Sequence, residues 1–190
     1  MDIEKINELL EKIEAAESEL YEELSEDEEE DRCDFLQERI PLWTYIREGN
    51  PRYVLSAPII YSMIVPALIM DACVTVYQAT CFPLYGIPKV ERGEYIVFDR
   101  HRLAYLNALQ KLNCLYCAYF NGLIAYVREI ASKTEQFWCP IRHARRLRGV
   151  HRRYWHFLRY GDGKDLKNRW LELREELKKE GEKQWISKRV

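Results

Sequence analysis

The chain has 190 residues, of which 47% are hydrophobic, so it has enough apolar material for a folded domain with a core and is not a disordered chain. Its net charge of −2 conceals an asymmetry, because residues 1–31 carry 15 of the 31 acidic residues and only two lysines. That arm has a net charge of −13 and the other 159 residues +11, a pattern typical of an interaction tail.

The N-terminus lacks the apolar core and small-residue cleavage site of a signal peptide, and neither end carries a lipidation motif. Six cysteines without an export signal favour a reducing compartment, where cysteine pairs bind metals more often than they form structural disulfides.

In residues 3–24, apolar side chains recur in alternating steps of three and four, which predicts a helix with a heptad-like stripe: Ile3, Ile6, Leu10, Ile13, Leu20 and Leu24. A coiled coil with a partner or a second copy explains the stripe as well as a helix laid on the same chain does. The acidic run that follows, residues 25–31, predicts a flexible linker. We expect three regions: 1–31, a helical core 32–160, and a C-terminal helix 161–190.

Residues 34–48 predict a short amphipathic segment interrupted by Pro41, with a turn at Gly49–Asn50–Pro51. The stretch 53–87 is the most apolar of the chain, and Asp71 is its one charged residue. Residues 54–72 have a mean hydropathy of about 1.8, near the threshold for a membrane helix. For the apolar segment 54–80 we favour membrane insertion, spanning or re-entrant, over a buried core helix, even though three prolines interrupt it.

Residues 88–99 predict a small β-hairpin, and 101–132 predict one long helix. A new helix is expected to start at Cys139–Pro140 and run through the basic stretch to Arg159, followed by a turn at 161–163 and a final helix over 164–183. The predicted fold class is therefore mainly α: a helical bundle with one small β-hairpin and a hydrophobic helix that is membrane-inserted or buried.

Four residues have the spacing of metal ligands: Cys114, Cys117, Cys139 and His143. Cys114 and Cys117 lie one turn apart on the predicted long helix, and Cys139 and His143 one turn apart on the next, so two pairs on neighbouring helices would close a Cys3His tetrahedron. The pattern favours a structural zinc ion, with iron or an iron–sulfur cluster as the alternative. Cysteines packed as small buried apolar side chains explain the same residues without a metal.

Three further residues are weak catalytic candidates: Asp71, His101 and Glu135. An ionisable side chain inside an apolar segment is costly unless it is paired, which marks Asp71. His101 lies at a predicted strand-to-helix junction. Hydrogen bonding within the fold explains all three equally well.

The segment Arg142–Arg159 holds seven arginines with interleaved aromatic residues and no acid. Such a run fits anionic lipid headgroups or a nucleic-acid backbone. Beside an apolar segment lipid is the simpler partner, and nucleic acid is not expected because no established binding motif accompanies the run. Docking of the acidic arm 1–31 is the alternative within one chain.

The stretch Asn113–Arg146, with its NCxYCxYxNG and WCPIxHA motifs, resembles an uncharacterised family of bacterial membrane-associated proteins. The resemblance covers roughly residues 54–148 and implies no activity. We expect a metal-binding accessory or assembly subunit at the cytoplasmic face of the bacterial inner membrane. The alternatives are a membrane-bound redox enzyme that uses iron or open-site zinc, and a soluble nucleic-acid-binding regulator in the cytoplasm.

Overall fold

The structure, a computed structural model, describes residues 3–30 and 39–187, and it confirms the mainly α-helical fold class. The helices are α1 (Ile3–Glu30), α2 (Leu42–Glu48), α3 (Pro51–Ser62), α4 (Ile64–Tyr85), α5 (Ala108–Trp138) and α6 (Leu166–Ser187). The predicted hairpin over 88–99 is wrong. The described residues contain no β-strand, and the one bridge between them is an isolated parallel pair, Ile141 and Leu158.

Helix α1 is longer than its apolar stripe predicted. It continues as a helix through the acidic residues 25–30, which were expected to form a flexible linker. Residue 31 and the first part of the predicted segment 34–48 lie outside the described residues, and the last seven residues of that segment form α2.

The apolar stretch forms two consecutive helices. Asn50 caps α3, since its side-chain oxygen accepts from the backbone N–H of Arg52 at 3.0 Å. The break at Met63 follows from Pro66, which has no N–H to donate to the carbonyl of Ser62. α4 then runs to Gly86, whose φ of 67° ends the helix in a left-handed conformation that glycine adopts without strain.

The long helix α5 starts later and ends later than predicted. Asn107 and Gln110 cap it reciprocally, each side chain bonding the other residue's backbone N–H, so the helix starts at Ala108 and not at His101. The helix continues through Ser132 and Thr134, because their hydroxyls donate to helix carbonyls three and four residues earlier and do not cap the end of the helix.

Helices α4 and α5 lie side by side and run in the same direction. Asp71 of α4 accepts from the hydroxyl of Tyr119 of α5 at 3.0 Å, and farther along both helices Tyr77 bonds Thr134 at 3.0 Å. Two parallel neighbours need a connection that returns along their length, and residues 86–107, called the crossover from here on, make it.

One buried side chain, Gln78, replaces the predicted strand pairing in the crossover. Its amide oxygen accepts from the N–H of Val90 at 2.6 Å, and its amide nitrogen donates to the carbonyl of Val90 at 3.2 Å and to the hydroxyl of Tyr126 at 2.9 Å. Both backbone groups of Val90 are thereby satisfied without a partner strand. Short 3-10 turns at Arg92–Glu94 and Arg100–Arg102 carry the chain back to α5.

The crossover rests directly on α5 at Gly122. A Cβ atom on this residue would lie 2.4 Å from the carbonyl oxygen of Tyr95 and 3.0 Å from the Cα of Ile96. Glycine therefore lets the two backbones touch in the middle of the helix.

The final helix, predicted over 164–183, is confirmed as α6. It packs antiparallel to α5, because Gln136 of α5 donates to the carbonyl of Leu173 while Glu180 reaches Lys133, one turn earlier on α5. Leu177 of α6 is fully buried in one core cluster with Phe82 and Tyr126.

The predicted helix over Cys139–Arg159 is wrong. The chain leaves α5 at Cys139, forms the bridge through the Pro140 carbonyl and the N–H of Leu158 (2.8 Å), and makes a 3-10 turn at Arg152–His156. Gly149, with a φ of 65°, turns the loop between these segments. Pairing with the segment around Leu158 uses the backbone groups that a helix would need at Pro140 and Arg142.

Candidate functional site

Helices α3 and α4 expose large apolar side chains along their whole length. The stretch Pro51–Tyr85 spans 35 residues, its most apolar 18-residue window has a mean hydropathy of 2.0, and only 6% of that window is buried. We call the outer surface the apolar face and define it by Leu55, Ile59, Val65, Ile69, Val76 and Leu84, which are 57–81% exposed. Within the described chain this stretch is thus long and apolar enough to cross a membrane and is not a buried core helix.

The one charge in this stretch, Asp71, is paired. Its carboxylate accepts from the Arg92 guanidinium of the crossover at 2.8 Å and from the hydroxyl of Tyr119 on α5 at 3.0 Å. The carboxylate therefore faces the crossover and α5, away from the apolar face. The pairing meets the condition that an ionisable group must satisfy beside an apolar surface.

The structure does not bring the four predicted zinc ligands together. Cys114 and Cys117 lie on α5, Cys139 lies at its C-terminal end, and the His143 ring is stacked on Tyr154 in the following loop. The 22 residues of continuous helix from Cys117 to Cys139 correspond to roughly 33 Å of axial rise. Among the described residues no group of three or more His, Cys, Asp and Glu side chains is placed to hold a metal, and zinc binding stays a prediction.

The other two catalytic candidates also take separate roles. The Glu135 carboxylate lies 2.9 Å from Nε2 of His151 and so ties α5 to the 3-10 turn. His101 lies in the turn of the crossover, where its Nδ1 is buried without a hydrogen-bond partner in the described structure. Neither residue forms a group with Asp71 that resembles an acid–base or metal site.

The loop after the bridge borders an open cavity of about 1120 Å³, which we call the basic cleft. Its walls are formed by arginines of the loop and by aromatic rings of the facing segment: Arg142, Arg145, Arg146, Arg148, Tyr154 and Trp155. Arg128 of α5 holds the loop, since its guanidinium donates to the carbonyls of Gly149 at 2.9 Å and Val150 at 2.6 Å. The hydroxyl of Tyr154 accepts from the N–H of His143 at 2.8 Å and fixes the other side of the loop.

The arginines of this run divide into two groups. Arg153 is held among α5 and α6, donating to Glu129 at 3.0 Å and to both carboxylate oxygens of Glu180 at 2.7 Å. Arg152 pairs with Glu14 and Glu17 of α1. Four of the arginines that line the cleft differ, because the side chains of Arg142, Arg145, Arg146 and Arg148 make no ion pair or hydrogen bond with any described residue.

The interactions around Arg153 stabilise the charged forms of Arg153 and Glu180. Burial alone would lower the pKa of Arg153, but the hydrogen bond and charge of Glu180 raise the pKa above its ordinary value. Burial alone would raise the pKa of Glu180, and the hydrogen bond from Arg153 and the charge of Lys133 lower it instead. This network therefore anchors the 3-10 turn and, with it, one wall of the cleft.

Helix α1 docks beside the cleft through its first half. Ile6 is buried, Asn7 bonds the His156 ring at 3.0 Å, and Glu14 lies 2.8 Å from Arg152. The later part of the predicted stripe stays at the surface, because Ile13, Leu20 and Leu24 are 51–59% exposed.

The apolar face and the basic cleft lie on opposite sides of α5. Tyr119 and Tyr126 bond residues of α4, whereas Arg128 and Glu135 hold the segment 149–151. At 100° per residue the two pairs point in directions about 180° apart around the helix. The structure thus has an apolar side formed by α3 and α4, a middle layer formed by α5, and a cationic side.

Sequence reasoning missed Gln78, Gly122 and the anchoring role of Arg153. A glutamine in an apolar stretch signals that its side chain has a hydrogen-bond partner. A glycine inside a helix signals a packing reason, such as another segment close to the helix backbone. No local signal separates Arg153 from Arg152.

No protein-family model matches the chain, and no curated protein or solved structure is significantly similar to it. The resemblance to bacterial membrane-associated proteins stays a prediction.

Proposed function

We propose that this protein is a membrane-associated accessory subunit whose apolar face is embedded in lipid, at the cytoplasmic side of the bacterial inner membrane. The observation that carries the proposal is the exposure of Pro51–Tyr85, whose most apolar window is only 6% buried. Leaving so many large apolar side chains in water forgoes the stabilisation of roughly 25 cal/mol that burial supplies for each Å² of apolar surface. Lipid contact supplies that stabilisation.

In this proposal the stretch Pro51–Tyr85 lies parallel to the membrane surface in one leaflet and does not cross the bilayer. The crossover returns beside the middle of α4 and α5, with Arg92 at Asp71 and Tyr95 at Gly122. It carries exposed charged side chains at Lys89, Glu94, Asp99, Arg100 and Arg102. In a spanning orientation these charges would share the depth of the apolar helix, at a cost of several kcal/mol each near the bilayer centre. An orientation parallel to the surface keeps them in water.

The accessory role rests on α1. Its half-exposed stripe, Ile13, Leu20 and Leu24, continues beyond the docked residue Ile6 along the same helix. An apolar stripe with this spacing fits a helix of a protein partner or of a second copy. The protein would then hold a partner helix next to the membrane.

Depth measurement with spin labels tests the membrane proposal. The full chain, with its native cysteines replaced, is labelled in turn at Leu55, Ile69 and Leu84 and bound to anionic vesicles, and oxygen and nickel-chelate accessibilities give each label's depth. In the parallel orientation all three labels lie at one depth, about 5–10 Å below the headgroups. A label at Arg100 is the control and should stay in water.

A spanning helix would give a different pattern, because Leu55 and Leu84 would be about 40 Å apart along the membrane normal. That result would overturn the parallel orientation. If each label is equally exposed to water with and without vesicles, membrane association is overturned. If they showed dipolar broadening without lipid, a second copy would cover the apolar face.

Zinc binding is a separate proposal, favoured by the two free thiols, Cys114 and Cys117, one turn apart on α5. Elemental analysis of the protein purified without added metal tests it. The proposal predicts that the wild-type protein contains zinc and that Cys117→Ser removes it. Because α5 keeps Cys139 roughly 33 Å away, Cys139→Ser should leave the zinc content unchanged, and equal loss in both variants would contradict the geometry of α5.

A further inference from the structure

The basic cleft gathers positive charge that the fold does not use. Four arginines, Arg142, Arg145, Arg146 and Arg148, lie within seven residues and have no described partner. Arg152 and Arg153, in the same run, are both paired with carboxylates. Like charges so close together repel each other, so an unpaired group of this kind destabilises the folded loop unless an anion binds it.

The lining of the cleft has the chemistry of an anion site. None of the described acidic residues lines it, and guanidinium groups in a concave wall concentrate positive potential inside the cavity. Arginine forks match phosphate oxygens in bidentate pairs. The cleft is also fixed in shape, because Arg128 and Tyr154 hold the loop by its backbone.

Aromatic residues line the same cavity as the arginines. Trp155 is 40% exposed and Tyr160 69% exposed, and both line the cleft. An exposed planar ring beside a cationic wall can stack on a nucleobase while the arginines hold the phosphates. The cavity of about 1120 Å³ has room for such a ligand.

The surroundings favour a bounded, soluble ligand. On one side, α1 brings Glu14 and Glu17 against Arg152, three residues before Trp155 in the chain, and these carboxylates would repel a nucleic-acid strand that continued past the cleft. The cleft also faces away from the apolar face across α5, so the headgroups of a membrane under that face lie on the other side of the molecule.

We propose that the basic cleft is a binding site for a nucleoside polyphosphate. The arginines of the loop bind the phosphate chain, and Trp155 and Tyr160 stack on the base. The site is independent of zinc and does not require the membrane for its geometry.

Isothermal titration calorimetry of the full chain in mild non-ionic detergent, with ATP as the probe, tests this proposal. Saturable binding at one site is expected, weakening as salt rises from 50 to 300 mM. The double variant R145Q/R148Q should bind ATP at least tenfold more weakly. Because these side chains have no partner among the described residues and repel each other, its thermal unfolding without ATP should occur at a temperature no lower than that of the wild type. R100Q/R102Q removes two exposed arginines of the crossover and is the matched control, with less than a twofold change expected.

A second pair of probes separates base from phosphate. Trp155→Leu should weaken ATP several-fold and leave inorganic tripolyphosphate unchanged. The proposal is overturned by an absence of saturable ATP binding, or by equal weakening in R145Q/R148Q and in the crossover control. It is also overturned if a single-stranded oligonucleotide or phosphatidylglycerol vesicles bind the cleft at least tenfold more tightly than ATP and lose that binding in R145Q/R148Q.

Discussion

Replacement of Gly122 by alanine should destabilise the protein, although helix propensity alone predicts the opposite. Alanine is favoured over glycine inside a helix by about 1 kcal/mol. In this structure the new Cβ would lie 2.4 Å from the Tyr95 carbonyl oxygen, whereas real Cβ contacts almost never fall below 3.0 Å. The crossover backbone must therefore move by at least 0.6 Å. Overpacking against backbone costs about 3 kcal/mol at the upper end of its usual range, which leaves a net loss of about 2 kcal/mol.

Chemical unfolding in mild detergent, followed by far-UV circular dichroism, measures this effect. Ala131→Gly is the control because Ala131 is an exposed position of the same helix, and it should lose about 1 kcal/mol through propensity alone. Hydrogen exchange adds a local readout, since displacement of the crossover should raise exchange around residues 95–96. If Gly122→Ala stabilises the protein, the crossover does not rest on α5 at this position.

Two further substitutions test the contacts that hold the crossover and the 3-10 turn. Gln78→Leu leaves both backbone groups of Val90 without partners and should cost about 2–3 kcal/mol in denaturant unfolding, whereas the exposed control Thr80→Leu should change stability little. Glu180→Gln should cost about 1–2 kcal/mol at pH 7, discounted because the carboxylate is 40% exposed. Since Arg153 lowers the pKa of Glu180 in the folded state, the stability it adds is complete above the ordinary value of 4.5 and is lost as the pH falls through the folded pKa. The wild type should therefore lose more stability on acidification than Glu180→Gln, and parallel pH profiles would contradict the pairing.

The helices were predictable where periodicity or composition is strong. The stripe of α1, the apolar stretch of α3 and α4, and the final amphipathic helix were all found from their patterns. The start of α5 was also predictable locally, from Asn107 and Gln110, but no proline or glycine lies between His101 and Asn107, and the helix was therefore predicted to begin at His101. The hairpin was predicted wrongly because the apolar run Tyr95–Phe98 was expected to pair with a strand. In the structure Val90 bonds the side chain of Gln78 instead, and the backbone at Tyr95 and Ile96 lies against Gly122 of α5.

The zinc hypothesis shows how ligand spacing can mislead. Pairs such as Cys114 and Cys117 are recognisable from spacing alone, because one helical turn sets their separation. Whether Cys139 and His143 reach the same point depends on where α5 ends and the chain reverses its direction. The continuation of α5 to Trp138 decided that, and hydroxyls inside the helix gave no sign of where it would end.

The sequence by itself determined the helical class, the apolar stretch and the concentration of arginines, because these properties follow from side-chain type and from the short-range periods of the backbone. The tertiary structure decided which surface each one occupies. Three kinds of contact show this: the pairing of Asp71 with Arg92, the approach of Tyr95 to Gly122, and the pairing of Arg152 with Glu14. They join residues that are 21 to 138 positions apart. Such contacts depend on the close packing of whole elements, and no local pattern encodes them.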